Sequence, residues 1–267
     1  MALISGCGNF TTFGRTTPAF PVQPAASLSG QAEADLLLAP ALGLASAGDA
    51  VVRVVGPQAT CTGALIAEDL VLTAHHCVVE RLDGGKYGRD LLASPAVEVE
   101  LGGDYLPWGN VGVRAIFAPP CGEAGGRGDL AVLVLERKLV GIATLALRDE
   151  PPRRGELVDS VGFGRCALSP EGIRRREREG GPIASVARAT FEVQAAVCPG
   201  DSGGPVLDRE SREVVGVVSL SAMDYDEATR GRSVFTRVDG LATVTAYARL
   251  VADGADPSDL PPLSCER

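Results

Sequence analysis

The chain has 267 residues, 45% of them hydrophobic and 22% charged, with a formal net charge of −9; that length suits one large core or two smaller ones. The acidic balance speaks against a nucleic-acid partner, because a phosphate backbone demands a basic surface. Seven cysteines without a CxxC pair, and only two histidines, which are adjacent, argue against a zinc site and for disulfides in an oxidising compartment; no cofactor is expected.

At the start, Ile4-Ser5-Gly6-Cys7 resembles the lipobox of bacterial lipoproteins, in which small residues precede a cysteine that is lipidated. A signal segment also needs a basic start and an apolar run of about 7–15 residues. Only Ala2 and Leu3 stand between the first residue and the box, so either the true start lies upstream or the match is chance. On this reading the protein is exported, as a cell-envelope lipoprotein (periplasmic or surface) anchored to a membrane through Cys7, or is secreted. The plainer reading is a stub with a free thiol. No later segment approaches the ~18 apolar residues of a membrane span. Residues 8–30, rich in Thr, Pro, Ser, Gly and Ala, read as a tether, and residues 31–48 as a short helix or the lead-in to the fold.

Strand signals dominate from Ala50 onward. Residues 51–55, 63–67, 70–73, 97–101, 111–117 and 130–135 are short apolar or alternating runs bounded by turn residues. A second set covers residues 157–162, 183–193, 204–207, 214–220 and 233–238. Two groups of about six strands predict an all-β fold of two six-stranded antiparallel barrels packed side by side. Residues 1–48 then form the leader and tether, 49–254 the folded domain and 255–267 a tail. Within the domain, barrel one takes residues 49–147 and barrel two residues 155–238. A helix is predicted over 238–252, where Leu241, Val244, Ala248 and Val251 form an apolar stripe and Gly254 marks the stop. The arginine-rich run at 173–179 reads as a solvated loop, the usual fate of a short charge run.

Three segments carry chemistry. Gly200-Asp201-Ser202-Gly203-Gly204-Pro205 offers a serine in a glycine-rich turn; such a hydroxyl becomes nucleophilic only with a base in contact and donors aimed at the developing oxyanion. Thr73-Ala74-His75-His76-Cys77 offers an imidazole beside a cysteine. Gly128-Asp129-Leu130-Ala131-Val132-Leu133 places a carboxylate at the head of an apolar strand, a costly position unless it is hydrogen-bonded.

These motifs, in the order His, Asp, Ser, resemble those of the trypsin/chymotrypsin family, of the compact bacterial type, from about Val51 to Ala252. The resemblance implies a serine endopeptidase acting on protein or peptide substrates through an acyl-enzyme. Ser202 matches the nucleophile, His76 the general base and Asp129 the carboxylate that orients it, with His75 a bystander. The backbone N–H groups of Gly200 and Ser202 match the oxyanion hole. Ser219 matches the serine that supports the aspartate, and a substrate is expected to pair along residues 219–221. Ala196 falls at the floor of the primary pocket, with Ser221 and Ser233 on its walls, which implies cleavage after small or medium uncharged side chains.

The same resemblance implies a Cys61–Cys77 disulfide. Cys198 matches a family cysteine whose usual partner is missing here, and Cys166, on a loop expected to approach the oxyanion region, is its expected partner. Cys121 and Cys265 remain as a pair tying the tail to the loop before Asp129, and Cys7 is left single, although spacing alone does not fix connectivity. One feature departs from the pattern. Many relatives pair the aspartate before the serine with a freshly cut N-terminal amine, and no such start stands near residues 30–40. Asp201 therefore needs another partner, because a buried unpaired carboxylate is costly. A latent or non-catalytic binding module is the alternative functional reading. A monomer is the default expectation.

Overall fold

The computed structural model describes residues 47–103, 107–124, 126–165, 174–221 and 231–264. Cys7, the tether, Cys166 and Cys265 lie outside the described residues. The first barrel is built from β1 (Val51–Val55), β2 (Thr60–Ala67), β3 (Leu70–Thr73), β6 (Glu98–Leu101), β7 (Gly109–Phe117) and β8 (Ala131–Leu135). They close in the order β1-β2-β3-β8-β7-β6, and the six runs expected for this barrel all fall on these strands. β6 shows why: Val99 and Leu101 point into the core while Glu98 and Glu100 are half-buried on the other face, the period-two pattern of a strand with one apolar side. A two-stranded hairpin of β4 (Val79–Leu82) and β5 (Lys86–Leu91) stands beside the barrel and has no counterpart in the expected set.

The second barrel comprises β9 (Leu157–Gly162), β10 (Arg176–Val186), β11 (Thr190–Gln194), β12 (Pro205–Asp208), β13 (Val214–Ser221) and β14 (Arg232–Arg237), closed as β10-β11-β14-β13-β12-β9. Two expectations need correction here. The run expected as one strand over 183–193 is a hairpin, in which Ala187 N–H bonds the Thr190 carbonyl and β10 turns back into β11. The arginine-rich run is not a solvated loop. Residues 176–179 are the first half of β10, paired with β9 from Arg176↔Gly162 to Glu179↔Asp159. Arg175 is ion-paired to Asp49 at 3.1 Å.

Phe191 and Phe235 fill the centre of the second barrel, with ring centroids 5.4 Å apart. The larger apolar cluster is centred on the first barrel and runs across to Val161, Phe163, Leu207, Val214 and Val217 of the second, so the two barrels share a greasy seam. Helix α1 (Ala242–Ala252) starts four residues later than expected, after a turn in which Leu241 N–H bonds the Val238 carbonyl. It buries Val244, Ala248 and Val251 against the first barrel, and Gly254 ends it at φ +108°. No described helix is long and apolar enough to cross a membrane.

Candidate active site

The first barrel supplies an acid and an imidazole. His76 stands in the 3-10 turn His75–Cys77 directly after β3, and the Cys61–Cys77 disulfide ties that turn to β2. Asp129 lies just before β8, the strand that pairs with β3, so sheet register brings the two residues together: Thr73 faces Ala131 across the ladder. The carboxylate is fully buried and the imidazole nearly so. His76 N–H donates to Asp129 Oδ1 at 3.0 Å, and ring Nδ1 lies 2.9 Å from Oδ2. Because a carboxylate only accepts, Nδ1 carries a proton, and in the neutral form of the ring Nε2 is the nitrogen that keeps its lone pair.

Burial alone would raise the pKa of Asp129, but hydrogen bonds from His76 and Ser219, together with the His76 charge, hold it below the ordinary aspartate range. Ser219 belongs to β13 of the second barrel and donates its hydroxyl to Asp129 Oδ2, so this contact bridges the barrels. Tyr87, from the β4–β5 hairpin, sets its ring against His76 with centroids 5.0 Å apart. His75 is buried beside Gly122, where a Cβ would lie 2.2 Å from the ring, and burial lowers its pKa despite the opposing charge of Asp129.

Ser202 sits on the loop that leads into β12 and is partly exposed. Its carbonyl accepts Thr62 N–H at 2.8 Å, which places the loop against the β2 end of the first barrel. Thr62 does more. Its buried hydroxyl donates to the Gly200 carbonyl at 2.6 Å and accepts Phe163 N–H at 3.0 Å. Along the loop, the N–H groups of Asp201, Gly203 and Gly204 bond Cys198, Val218 and Asp201 carbonyls. Among the described residues the N–H groups of Gly200 and Ser202 donate to no acceptor. Gly200 adopts φ +102°, a conformation other residues rarely hold, and that turn sets the direction of its peptide. Among the described residues Ser202 Oγ and His76 form no hydrogen bond.

Asp201, beside Ser202, is 1% exposed and ion-paired to Arg178 at 2.9 Å. The partner that sequence reasoning left open is thus an arginine of β10. Ala196 is exposed, whereas the Ser233 hydroxyl is buried and donates to the Ala195 carbonyl at 2.7 Å. Ser221 pairs with Ser233 across the β13–β14 ladder. Cys121 and Cys198 are both disulfide-bonded, and the partners expected for them lie outside the described residues. Sequence reasoning missed Thr62, Tyr87 and Arg178. Only Thr62 carries a signal, as a polar residue between Cys61 and Gly63 at the head of a strand.

Comparison with known proteins agrees with this architecture. The sequence model of the trypsin family matches residues 45–245. No curated protein matches the chain. Among solved structures, a Glu endopeptidase in complex with MPD is similar at 17% identity and a TM-score of 0.64, covering 79% of this chain and 94% of that one. An inactivated protease paralogue of the scabies mite gives 16% and 0.62, covering 78% and 94%. Neuropsin, a serine protease expressed in mouse brain, gives 17% and 0.58, covering 76% and 95%. At such identities the likeness to solved structures speaks for the fold.

Proposed function

The chain belongs to the trypsin family, and from that premise we propose that it is a serine endopeptidase using His76, Asp129 and Ser202. The observation that carries the proposal is the buried Asp129–His76 pair, with a proton on Nδ1, beside a serine loop with two N–H donors that are unspent among the described residues. Ser202 Oγ attacks the scissile carbonyl while His76 Nε2 takes its proton. The nucleophile–base contact is commonly loose in an empty site and tightens around substrate. The tetrahedral oxyanion forms between the N–H groups of Gly200 and Ser202, whose donors need no reorganisation at that moment. His76 then protonates the leaving amine, and water repeats the sequence on the acyl-enzyme. Asp129, held ionised by its hydrogen bonds, stabilises the imidazolium throughout.

For substrate, we propose protein or peptide chains that add along residues 219–221 and are cut after small or medium uncharged side chains. Ala196 brings no charge to the pocket floor, and the Ser233 hydroxyl is spent on Ala195. A mixed peptide library separates the parts of this proposal. Cleavage that disappears in Ser202→Ala supports the enzyme, and enrichment of Ala, Val, Ser or Thr before the cut supports the pocket. Preference for Lys or Arg would refute the pocket alone, and cleavage surviving Ser202→Ala would refute the nucleophile.

A further inference from the structure

The loop carrying Ser202 is held by a charge that the chemistry itself does not use. Both oxygens of Asp201 are occupied: Oδ1 accepts Gly164 N–H at 2.7 Å, and Oδ2 accepts Cys198 N–H and Arg178 Nε, each at 2.9 Å. Arg178 Nη2 continues to the Gly164 carbonyl at 2.8 Å, closing a ring of carboxylate, guanidinium and peptide. The fit is close. A Cβ at Gly164 would lie 2.2 Å from Asp201 Oδ2, so only glycine admits the carboxylate there. The Arg178 side chain is 16% exposed and that of Asp201 2%.

Where many relatives pair this aspartate with a freshly cut terminal amine, this chain presents its own guanidinium. We infer that Arg178 is the positioning residue for the Ser202 loop, so that the oxyanion donors are set in the uncut chain without a new N-terminus. The inference rests on the endopeptidase reading above. Asp201 lies between the two donor residues, Gly200 and Ser202, so whatever fixes its carboxylate fixes both N–H groups. Without the cation, a buried carboxylate is strongly unfavourable, and the loop turns it out to water. The two kinds of cation also differ in alkali. A guanidinium stays charged beyond pH ~12, whereas an α-amine loses its proton near ~8 and a lysine near ~10.4.

The test follows Ser202 labelling by a fluorophosphonate in the full chain from pH 7 to 10.5, with intact mass and N-terminal sequencing confirming that the chain is uncut. The expected result is labelling without prior cleavage and no loss of rate between pH 8 and 10. Arg178→Met should label on the order of 10²-fold more slowly, comparable to losing an oxyanion donor, while still melting cooperatively. Arg178→Lys, which keeps the charge, should recover most of the rate at pH 8, a rescue by charge that a merely structural arginine would not give. Should Arg178→Met fail to fold, Arg178→Gln decides, since it keeps hydrogen-bond donors without the charge, and a labelling rate equal to wild type in either variant overturns the inference. An uncut chain that is inert but labels after limited proteolysis also overturns it, leaving the endopeptidase intact. Absence of Ser202 labelling in both cut and uncut protein sinks the endopeptidase reading, and this inference with it.

Discussion

Asp129 is a carboxylate with no exposed surface, and it keeps its charge because three donors converge on it: His76 N–H, His76 Nδ1 and the Ser219 hydroxyl. Removing one donor weakens the set, and hydrogen bonds to charged groups are worth about 1.5–3 kcal/mol. Ser219→Ala is therefore expected to lower kcat/KM by roughly tenfold or more, at ~1.4 kcal/mol per factor of ten. Asp129→Asn should cost far more, about 10⁴-fold in kcat, because an amide can hold the imidazole in the wrong tautomer. Steady-state kinetics on a peptide amide measures both, and equal losses would contradict the roles given to the two residues. His76, Asp129 and Ser202 stand out in the sequence because the short motifs around them are distinctive, and the buried Asp129–His76 contact is the part of that reading seen in the fold. Arg178 does not stand out. It lies in a run of alternating charges that reads as a water-facing segment, and only the contact with Asp201, 23 residues away, gives it a role.

At the scale of elements, the chemistry depends on how two barrel ends are stitched together. Thr62, at the head of β2, grips the Gly200 carbonyl and Phe163 N–H with one hydroxyl and binds the Ser202 carbonyl through its own N–H. Thr62→Val keeps the shape, removes the hydroxyl and leaves two polar groups without that partner. An expected loss of about 1–3 kcal/mol in unfolding free energy follows from the unsatisfied donor and acceptor. Activity should fall further than stability alone explains, since the Gly200 peptide loses its clamp; urea melts and kcat on the same sample separate the two. The strands of the first barrel were readable because apolar runs alternate with Gly, Pro and polar breaks. In the second barrel β10 was obscured at both ends. Its first half is charged, and its exit turn, Ala187-Arg188-Ala189, contains neither Gly nor Pro to mark a reversal. The β4–β5 hairpin has mostly exposed side chains, so no apolar period announces it.

Across the whole molecule, acid should be the condition that opens the fold. Asp129 and Asp159 both have pKa values lowered in the folded state. Asp129 owes this to His76 and Ser219 working against burial, and Asp159 first to its hydrogen bonds with Arg209. A carboxylate depressed on folding stabilises the protein at pH above its unfolded value of 3.8, and that contribution disappears as pH falls through the folded value. Unfolding free energy should accordingly be steady near neutrality and drop below about pH 4. Asp159→Asn should give a shallower acid limb, measurable by urea titration at pH 7 and pH 3; an unchanged limb would remove Asp159 from this account.

The central claim is that Ser202 becomes a nucleophile through His76. It is tested most directly by the first turnover on an activated ester, read as a burst of leaving group with the acyl chain located by mass spectrometry. The account predicts a burst equal to the enzyme concentration, an acyl group on the peptide containing Ser202, and no burst in His76→Ala. Turnover without a burst and with no acyl adduct, an adduct on another residue, or an undiminished burst in His76→Ala would contradict it.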